Sequence, residues 1–265
     1  TGGIGRAFDC RPRVGNGAMK KQRADVLLVA QGLAENQAKA AALIMEGQVC
    51  AAERRIEKAG EMLKPETQLR LKSKAIPWVS RGGFKLVKGL SESGFDPAGL
   101  VCLDVGCSTG GFTDVLLHNG AKKVYAVDVG YGQLAQKLRV DSRVVVLERT
   151  NAKYLTKEQI PEPVGMIVCD ASFIGLRTVL DVPLSFADPN GAYLIALIKP
   201  QFEVEKYQVG EGGIVRDPAL HKQVCDDMRD WLSSRAGWTV AGIVESPIKG
   251  AEGNTEFLLL GRFSG

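Results

Sequence analysis

Apolar residues recur along residues 100–265 in short runs that alternate with amphipathic stretches. The runs LVCLDVG, KVYAVDVG, RVVVLE, VGMIVCDAS and AYLIALIKP are typical of buried strands, and GFTDVLLHNG, GQLAQKL and IGLRTVLDVPLSFA are typical of helices. A fourth helix, PALHKQVCDDMRDWLSSRA, precedes two further strands, WTVAGIVES and EFLLLGRF. This alternation predicts an α/β fold with a Rossmann-like doubly wound mixed sheet, which binds ligands beyond the carboxyl ends of its strands.

A different pattern precedes residue 77. Two stretches with helical spacing, RADVLLVAQGL and ENQAKAAALIMEGQV, are each followed by glycine, at Gly32 and Gly47, where a helix end favours a left-handed residue. The strand-like pieces QVCAAERRI and TQLRLK come next, so we predict a small α+β domain over residues 19–76 and a larger domain over residues 77–265. The apolar faces of the two helices are predicted at Val26, Leu27 and Val29, and at Ala38, Ala41, Ala42 and Met45.

The composition changes this picture little. Residues 1–18 are rich in glycine and lack periodicity, so we interpret them as a disordered leader or an expression remnant. The remaining sequence has no run of about 18 to 20 apolar residues of the kind that spans a bilayer. The six cysteines include no CxxC pair, which disfavours a structural zinc site and favours reduced thiols. We therefore expect a cytoplasmic protein that has no metal and does not insert into membranes.

Charge is distributed unevenly along the chain. The net charge is +4, but residues 20–90 carry +7 and residues 91–265 carry −5. A basic module on an acidic domain indicates that the small module binds a polyanion. A lysine-rich surface that is merely well solvated is the alternative.

A glycine-rich loop, LDVGCSTGGFTD, follows the first strand of the larger domain. It matches neither GxGxxG nor GxxxxGK[ST], which disfavours nicotinamide and Walker-type phosphate binding. Its D-x-G-x-x-x-G form instead resembles motif one of S-adenosylmethionine-dependent methyltransferases. The resemblance implies a cofactor site that also includes Asp128, whose carboxylate would accept both ribose hydroxyls, Asn151 and Ala152 beside the adenine, and Asp170. The loop residues implied are Asp104, Gly106, Cys107, Ser108, Thr109, Gly110, Gly111 and Phe112.

Four charged residues far apart in the chain match the K-D-K-E tetrad of FtsJ-like ribose 2′-O-methyltransferases. They are Lys85 in SRGGFKL, Asp170 in VCDASF, Lys199 in IALIKP and Glu256 in EGNTEF. A ribose hydroxyl is a poor nucleophile at neutral pH, and a lysine activates it only where neighbouring groups disfavour the ammonium. We expect Lys199 to be the activating residue and Lys85 to lie beside the substrate, with the two acids orienting both lysines.

From about residue 20 onward the chain resembles the TlyA family, once called hemolysins. Members join an RNA-binding module of the ribosomal S4 type to an FtsJ-like domain, and the resemblance implies S-adenosylmethionine-dependent 2′-O-methylation of ribosomal RNA at cytidine, with free RNA or ribosomal subunits as partners. Such modules often begin their second helix with Ser-Arg, where this chain has Asn36 and Gln37. Asn36 can still cap the helix. The predicted RNA-binding residues are Arg23, Lys39, Arg54, Arg55, Lys72, Lys74 and Arg81.

Three alternative functions stay open on the sequence alone. One is a membrane-lytic protein, and another is an RNA-binding ribosome-assembly factor without catalysis. The third is methylation of a base or a small molecule, which the absence of prolines after Asp170 disfavours, because amine-methylating nucleic-acid enzymes usually carry an N/D-P-P-Y/F box there. Residues 203–217, which are polar and contain glycine, are predicted to form a mobile lid over the substrate.

Overall fold

The structure is a computed structural model that describes residues 20–52, 54–71 and 76–265. The chain divides into two compact units between residues 75 and 76, and each unit is described by itself. The predicted leader, residues 1–18, lies outside the described residues, as do Lys72 and Lys74.

Among its described residues, the first unit contains two helices and two small antiparallel sheets. Strand β1 pairs with β4, and the second sheet has the order β3-β2-β5. QVCAAERRI, predicted as one strand-like piece, folds back on itself as β2 and β3, which pair antiparallel. The elements are β1 (Gln22–Arg23), α1 (Ala24–Ala30), α2 (Gln37–Met45), β2 (Val49–Ala51), β3 (Arg54–Arg55), β4 (Met62–Leu63) and β5 (Leu69–Leu71).

The predicted helix ends are confirmed, but the predicted apolar faces are wrong in part. Gly32 and Gly47 have φ values of 70° and 71° just after α1 and α2, and Asn36 accepts a hydrogen bond from the backbone of α2. In α1 the buried face is Leu27 with Leu28 rather than Val26. In α2 it is Ala40 with Ile44, whereas Ala38, Ala42 and Met45 are exposed. Alternating alanines fit either face of a helix, so the neighbouring sheet decides which one is buried.

The second unit is built on one seven-stranded sheet. Its strands are β6 (Val101–Val105), β7 (Lys123–Val127), β8 (Val144–Leu147), β9 (Met166–Cys169), β10 (Ala192–Ile198), β11 (Trp238–Glu245) and β12 (Phe257–Phe263). Its helices are α3 (Gly83–Ser93), α4 (Gly111–His118), α5 (Gln136–Arg139), α6 (Leu176–Leu180) and α7 (Pro218–Ser233).

The sheet has the order β11-β12-β10-β9-β6-β7-β8. Five strands from β8 to β10 are parallel, and β12 runs antiparallel between β10 and β11. One apolar cluster packs α3, α4 and α5 on one face, and another packs α6 and α7 on the opposite face. The predicted α/β fold with a doubly wound mixed sheet is confirmed. The chain changes direction across the sheet between β6 and β9, where such folds bind ligands.

Two predicted helices are shorter than their patterns indicated. GQLAQKL forms only α5, because Gly132, with φ of 70°, turns the chain before the helix begins. IGLRTVLDVPLSFA divides into α6 and a 3₁₀ helix at Pro183–Phe186. Pro183 lacks the backbone N–H that a continuing α-helix would need, so the longer helix ends before it.

Residues 203–217 fold as consecutive short turns. They include 3₁₀ helices at Lys206–Gln208 and Glu211–Gly213. The carboxyl end of the segment is fixed, because Asn254 accepts a hydrogen bond from the Val215 N–H at 3.0 Å and donates one to the Gly213 carbonyl at 2.9 Å. The lid itself stays a prediction.

Candidate active site

A cavity of about 800 Å³ opens at the carboxyl ends of β6, β9 and β10. The glycine loop between β6 and α4 forms one wall, and the segments after β9, after β10 and before β12 form the others. Because β12 is antiparallel to β10, the residue that precedes β12 reaches the same edge as the residues that follow β9 and β10. This topology explains how side chains distant in sequence meet.

The cavity contains the four residues of the predicted tetrad, which form a line of alternating charge. Nζ of Lys85 lies 2.7 Å from Oε2 of Glu256 and 3.3 Å from Oδ2 of Asp170. The other oxygen of Asp170, Oδ1, lies 2.7 Å from Nζ of Lys199. Two ammonium groups and two carboxylates therefore balance one another, with Asp170 bridging the two lysines.

The environment of Lys199 differs from that of Lys85. Nζ of Lys199 donates hydrogen bonds to Oγ of Ser172 at 2.7 Å and to the carbonyl oxygen of Asp170 at 3.2 Å. Its contact with Oδ1 of Asp170 is an ion pair whose angle falls outside that of a hydrogen bond. Lys85 contacts two carboxylates, whereas Lys199 contacts one carboxylate and one hydroxyl.

Three members of the tetrad are deeply buried. Lys85, Lys199 and Glu256 are 7%, 6% and 2% exposed. Buried charges are tolerated only when they are paired, so each of these residues depends on its partners. The backbone of Gly250 lies directly against the Glu256 carboxylate, and a Cβ at Gly250 would overlap Oε1 of Glu256. The absence of a side chain at Gly250 thus leaves room for Glu256.

The glycine loop is shaped chiefly by contacts within the protein. Gly106 and Gly110 have φ values of 78° and 96°, which favour glycine. A Cβ at Gly106 would lie 2.8 Å from Cα of Ala171, and one at Gly111 would overlap the Ser80 hydroxyl. The glycines were predicted to let the backbone approach a ligand. The structure shows that they also let the loop pack against the segments that carry Asp170 and Lys85.

Asp104 is fully buried at the base of the cavity. One of its oxygens, Oδ2, accepts a hydrogen bond from Oγ1 of Thr113 at 2.6 Å, while Oδ1 has no hydrogen-bond partner among the described residues. The pKa of this carboxyl is raised to about 7, chiefly by burial, with the Thr113 hydrogen bond opposing the rise and the charge of Asp170 adding to it. An unpartnered buried acceptor bordering a cavity fits a cationic or N–H donor group on a ligand.

Most of the predicted cofactor residues line the cavity, but some do not. Seven of the eight predicted loop residues line the cavity, as does Asp170; the seven are Asp104, Gly106, Cys107, Ser108, Thr109, Gly111 and Phe112. Asp128 does not line it. Its carboxylate accepts hydrogen bonds from the backbone N–H groups of Ser108 at 2.8 Å and Gly130 at 2.7 Å, so it fixes the loop. Its binding of ribose hydroxyls stays a prediction.

The predicted adenine contacts receive no support from the geometry. The side chain of Asn151 accepts a hydrogen bond from the Lys153 N–H and caps a 3₁₀ helix. Ala152 is buried in the apolar cluster under α6. Neither residue lines the cavity, nor does Gly110, whose position is instead set by Leu134 and Leu138.

The predicted RNA-binding residues fall into three groups. Arg23 forms two hydrogen bonds to Asp25, and Arg54 pairs with Glu61 at 2.6 Å. Lys39 and Arg55 are exposed in the first unit, and neither makes an ion pair with the described residues. Arg81 is exposed and lines the cavity of the second unit.

Several cavity residues were not found by sequence reasoning. Ser172, Phe173, Gln201 and Glu252 all line the cavity. Three lining residues other than glycine have positive φ, at 48° for Ser108, 66° for Phe173 and 56° for Glu252. Such strain costs free energy and clusters at functional sites. The only sequence signal for Ser172 and Phe173 was their place in VCDASF directly after Asp170.

The described parts of the chain contain no group of three or more His, Cys, Asp and Glu side chains able to hold a metal ion. Their five cysteines are free thiols. No helix among those residues is both long enough and apolar enough to cross a membrane.

Known proteins are similar to this chain in sequence and in fold. The relative named "16S/23S rRNA (cytidine-2'-O)-methyltransferase TlyA" from Mycobacterium tuberculosis is 46% identical over 242 residues, which cover 91% of this chain and 89% of the relative. The "Putative rRNA methyltransferase YqxC" of Bacillus subtilis is 48% identical over 243 residues, 91% of this chain and 85% of that protein.

A solved structure is also similar to this chain. The "Putative hemolysin from Streptococcus thermophilus" superposes with a TM-score of 0.68 at 40% identity, covering 93% of this chain and 90% of that one. Residues 78–263 match the family described as FtsJ-like methyltransferase. These residues include the glycine loop and the four charged side chains of the cavity. The chain therefore belongs to the FtsJ-like methyltransferases, within the TlyA family.

Proposed function

We propose that this protein uses S-adenosylmethionine to methylate the ribose 2′-oxygen of a cytidine in ribosomal RNA. The observation that carries the proposal is the alternating line of Lys199, Asp170, Lys85 and Glu256 in one cavity with the glycine loop. Relatives whose names assign them cytidine-2′-O-methylation of ribosomal RNA support the choice of substrate.

The cavity fits the proposed cofactor. Oδ1 of Asp104 is a buried acceptor without a partner, and a ligand ammonium in the glycine loop would satisfy it. The cofactor, when bound, supplies an electrophilic methyl group on a sulfonium. The protein's part is to hold that methyl in line with the substrate oxygen, since positioning supplies much of the acceleration in such transfers.

The two lysines have different parts in the proposal. Lys85 contacts two carboxylates and stays a fixed cation beside the substrate oxygen as negative charge develops there. Lys199 has only one carboxylate partner and a hydroxyl, and it lies at the carboxyl end of β10 facing the same cavity. We assign to Lys199, in its neutral form after it has released a proton to solvent, the removal of the 2′-hydroxyl proton, which moves to the lone pair of Nζ as the oxygen attacks.

The first unit is proposed to be an S4-type RNA-binding module. Its support is the excess of 11 Lys and Arg over 7 Asp and Glu in residues 20–75, and the exposed side chains of Lys39 and Arg55, which make no ion pair among the described residues. Arg23 and Arg54 are weaker candidates than the sequence indicated, because each already pairs with an acid. Folded RNA is recognised largely through its shape and its phosphates, which suits a basic face.

Mapping of ribose methylation tests the function directly. The purified protein is incubated with ribosomal RNA, or with ribosomal subunits, and labelled cofactor, and 2′-O-methyl nucleotides are then located by their resistance to alkaline cleavage. We expect label at a ribose of cytidine. Label on a base amino group would replace the proposal with base methylation, and absence of label on both RNA and subunits would favour a non-catalytic assembly factor.

The name of the Streptococcus thermophilus structure keeps membrane lysis as a second candidate. Release of a dye trapped in liposomes by the pure protein would support it. The same preparation should be assayed for methyl transfer, because the two activities do not exclude each other.

A further inference from the structure

The surroundings of Lys199 include a residue outside the tetrad, Ser172. Three oxygens surround Nζ, namely Oδ1 of Asp170 at 2.7 Å, the carbonyl oxygen of Asp170 at 3.2 Å and Oγ of Ser172 at 2.7 Å. An ammonium has three N–H groups, and two of them are used in hydrogen bonds, to the carbonyl oxygen of Asp170 and to Oγ of Ser172. Since the Oδ1 contact falls outside hydrogen-bond geometry, Ser172 supplies the shortest well-aligned hydrogen bond of this lysine.

The three neighbours differ in what they can do when the lysine loses its proton. A carboxylate and a backbone carbonyl can only accept hydrogen bonds, whereas a hydroxyl can also donate one. A neutral amine has two N–H groups and a lone pair. Of the three neighbours, the hydroxyl of Ser172 is therefore the one that can face the lone pair without repulsion.

Ser172 also lies where it can act during the reaction. It is exposed and lines the cavity, while Lys199 is only 6% exposed. The next residue, Phe173, has φ of 66°, a strained conformation for a residue other than glycine. Strain directly after Ser172 indicates that the chain is held in this turn against its local preference.

We propose that Ser172 is a positioning residue for the methyl transfer, one that holds the amino group of Lys199 in the orientation needed to take the substrate proton. The inference rests on the proposed function. Ser172 accepts a hydrogen bond from the ammonium and donates one to the neutral amine, so Nζ keeps its place in both states. When the substrate hydroxyl enters, the O–H of Ser172 rotates away from the lone pair of neutral Nζ. The substrate O–H bond then breaks as its proton forms the third N–H bond of the ammonium, and Oγ of Ser172 again accepts a hydrogen bond from Nζ.

A matched pair of substitutions separates the effect of the Ser172 hydroxyl from the effect of side-chain shape. Ser172→Thr keeps the hydroxyl, and Ser172→Val has nearly the same shape as threonine without it. We expect kcat to fall about 10- to 100-fold in Ser172→Val, as expected for one lost hydrogen bond to a charged group, and to stay within about threefold of wild type in Ser172→Thr. The KM for RNA and the Kd for S-adenosylmethionine should change little in both.

The control is Ser185→Ala, which removes an exposed hydroxyl whose partner is the backbone carbonyl of Val182, outside the cavity. Its kcat should equal that of wild type. A rise in KM with unchanged kcat in Ser172→Val would make Ser172 a substrate contact and overturn the inference, as would equal kcat values for the Val and Thr variants. If wild type itself transfers no methyl group to RNA, the proposed function fails instead.

Discussion

At the residue scale, Asp104 is a carboxyl whose charge depends strongly on its buried surroundings. Its pKa is raised to about 7 in the folded protein, from an ordinary value of 3.8. Between these values the unfolded chain has lost the proton that the folded protein retains, so the contribution of Asp104 to the free energy of unfolding falls as pH rises from about 4 to about 7. A bound cation at Oδ1 would reverse this preference by favouring the charged form.

Asp104→Asn tests this reasoning, because asparagine does not titrate. We expect the Tm of the variant minus that of wild type to increase from pH 5 to pH 7, measured without cofactor. Binding of S-adenosylmethionine to wild type at pH 6.5 should release protons, which calorimetry in buffers of different ionisation enthalpy detects. A constant Tm difference and no proton release would show that Asp104 is charged throughout.

Gly250 allows a second test at this scale. Gly250→Ala places a methyl group where Oε1 of Glu256 lies, so the carboxylate must move away from Lys85. We expect kcat to fall by about tenfold or more, because the geometry of the tetrad changes. Gly242→Ala is the control, since a Cβ there meets only Leu260 at 3.8 Å. Equal loss in both variants would indicate general destabilisation.

At the element scale, the topology of the sheet explains why the sequence could predict which side chains meet in the cavity. Asp170, Lys199 and Glu256 sit at ends of β9, β10 and β12, so strand order alone brings them to one edge. Which oxygen meets which nitrogen depends on side-chain packing, which no pattern records. For the same reason Ser172 was missed, Asp128 was not expected to fix the loop, and the buried face of α2 was misassigned.

Asn254 connects two elements around the cavity, and its removal should loosen residues 203–217. It holds the backbone of Gly213 and Val215 from the segment before β12. In Asn254→Ala we expect faster hydrogen exchange and proteolysis in residues 203–217, and a loss of stability of about 1 to 3 kcal/mol from unsatisfied backbone groups. Asn190→Ala, in an exposed turn, is the control. Unchanged exchange would show that other contacts fix the segment.

At the scale of the whole molecule, the division of charge predicts how RNA is held. Charge reversal of Lys39 and Arg55 together should lower RNA affinity and reduce the slope of log affinity against log salt by about 2, with kcat at saturating RNA unchanged. Lys222→Glu, an exposed lysine of α7, is the control for a change of charge elsewhere. Because Lys222→Glu changes the net charge by half as much as the double reversal, an effect half as large would mean that binding follows total charge rather than the first unit.

The most direct test of the account is the rate of a single turnover with ribosomal RNA and labelled S-adenosylmethionine, for wild type and Lys199→Met. Methionine keeps the length of the side chain and removes the group that takes the proton, while Asp170 stays paired with Lys85. We predict a rate lower by about 100-fold or more, with cofactor binding unchanged. A variant that transfers methyl as fast as wild type would contradict the account.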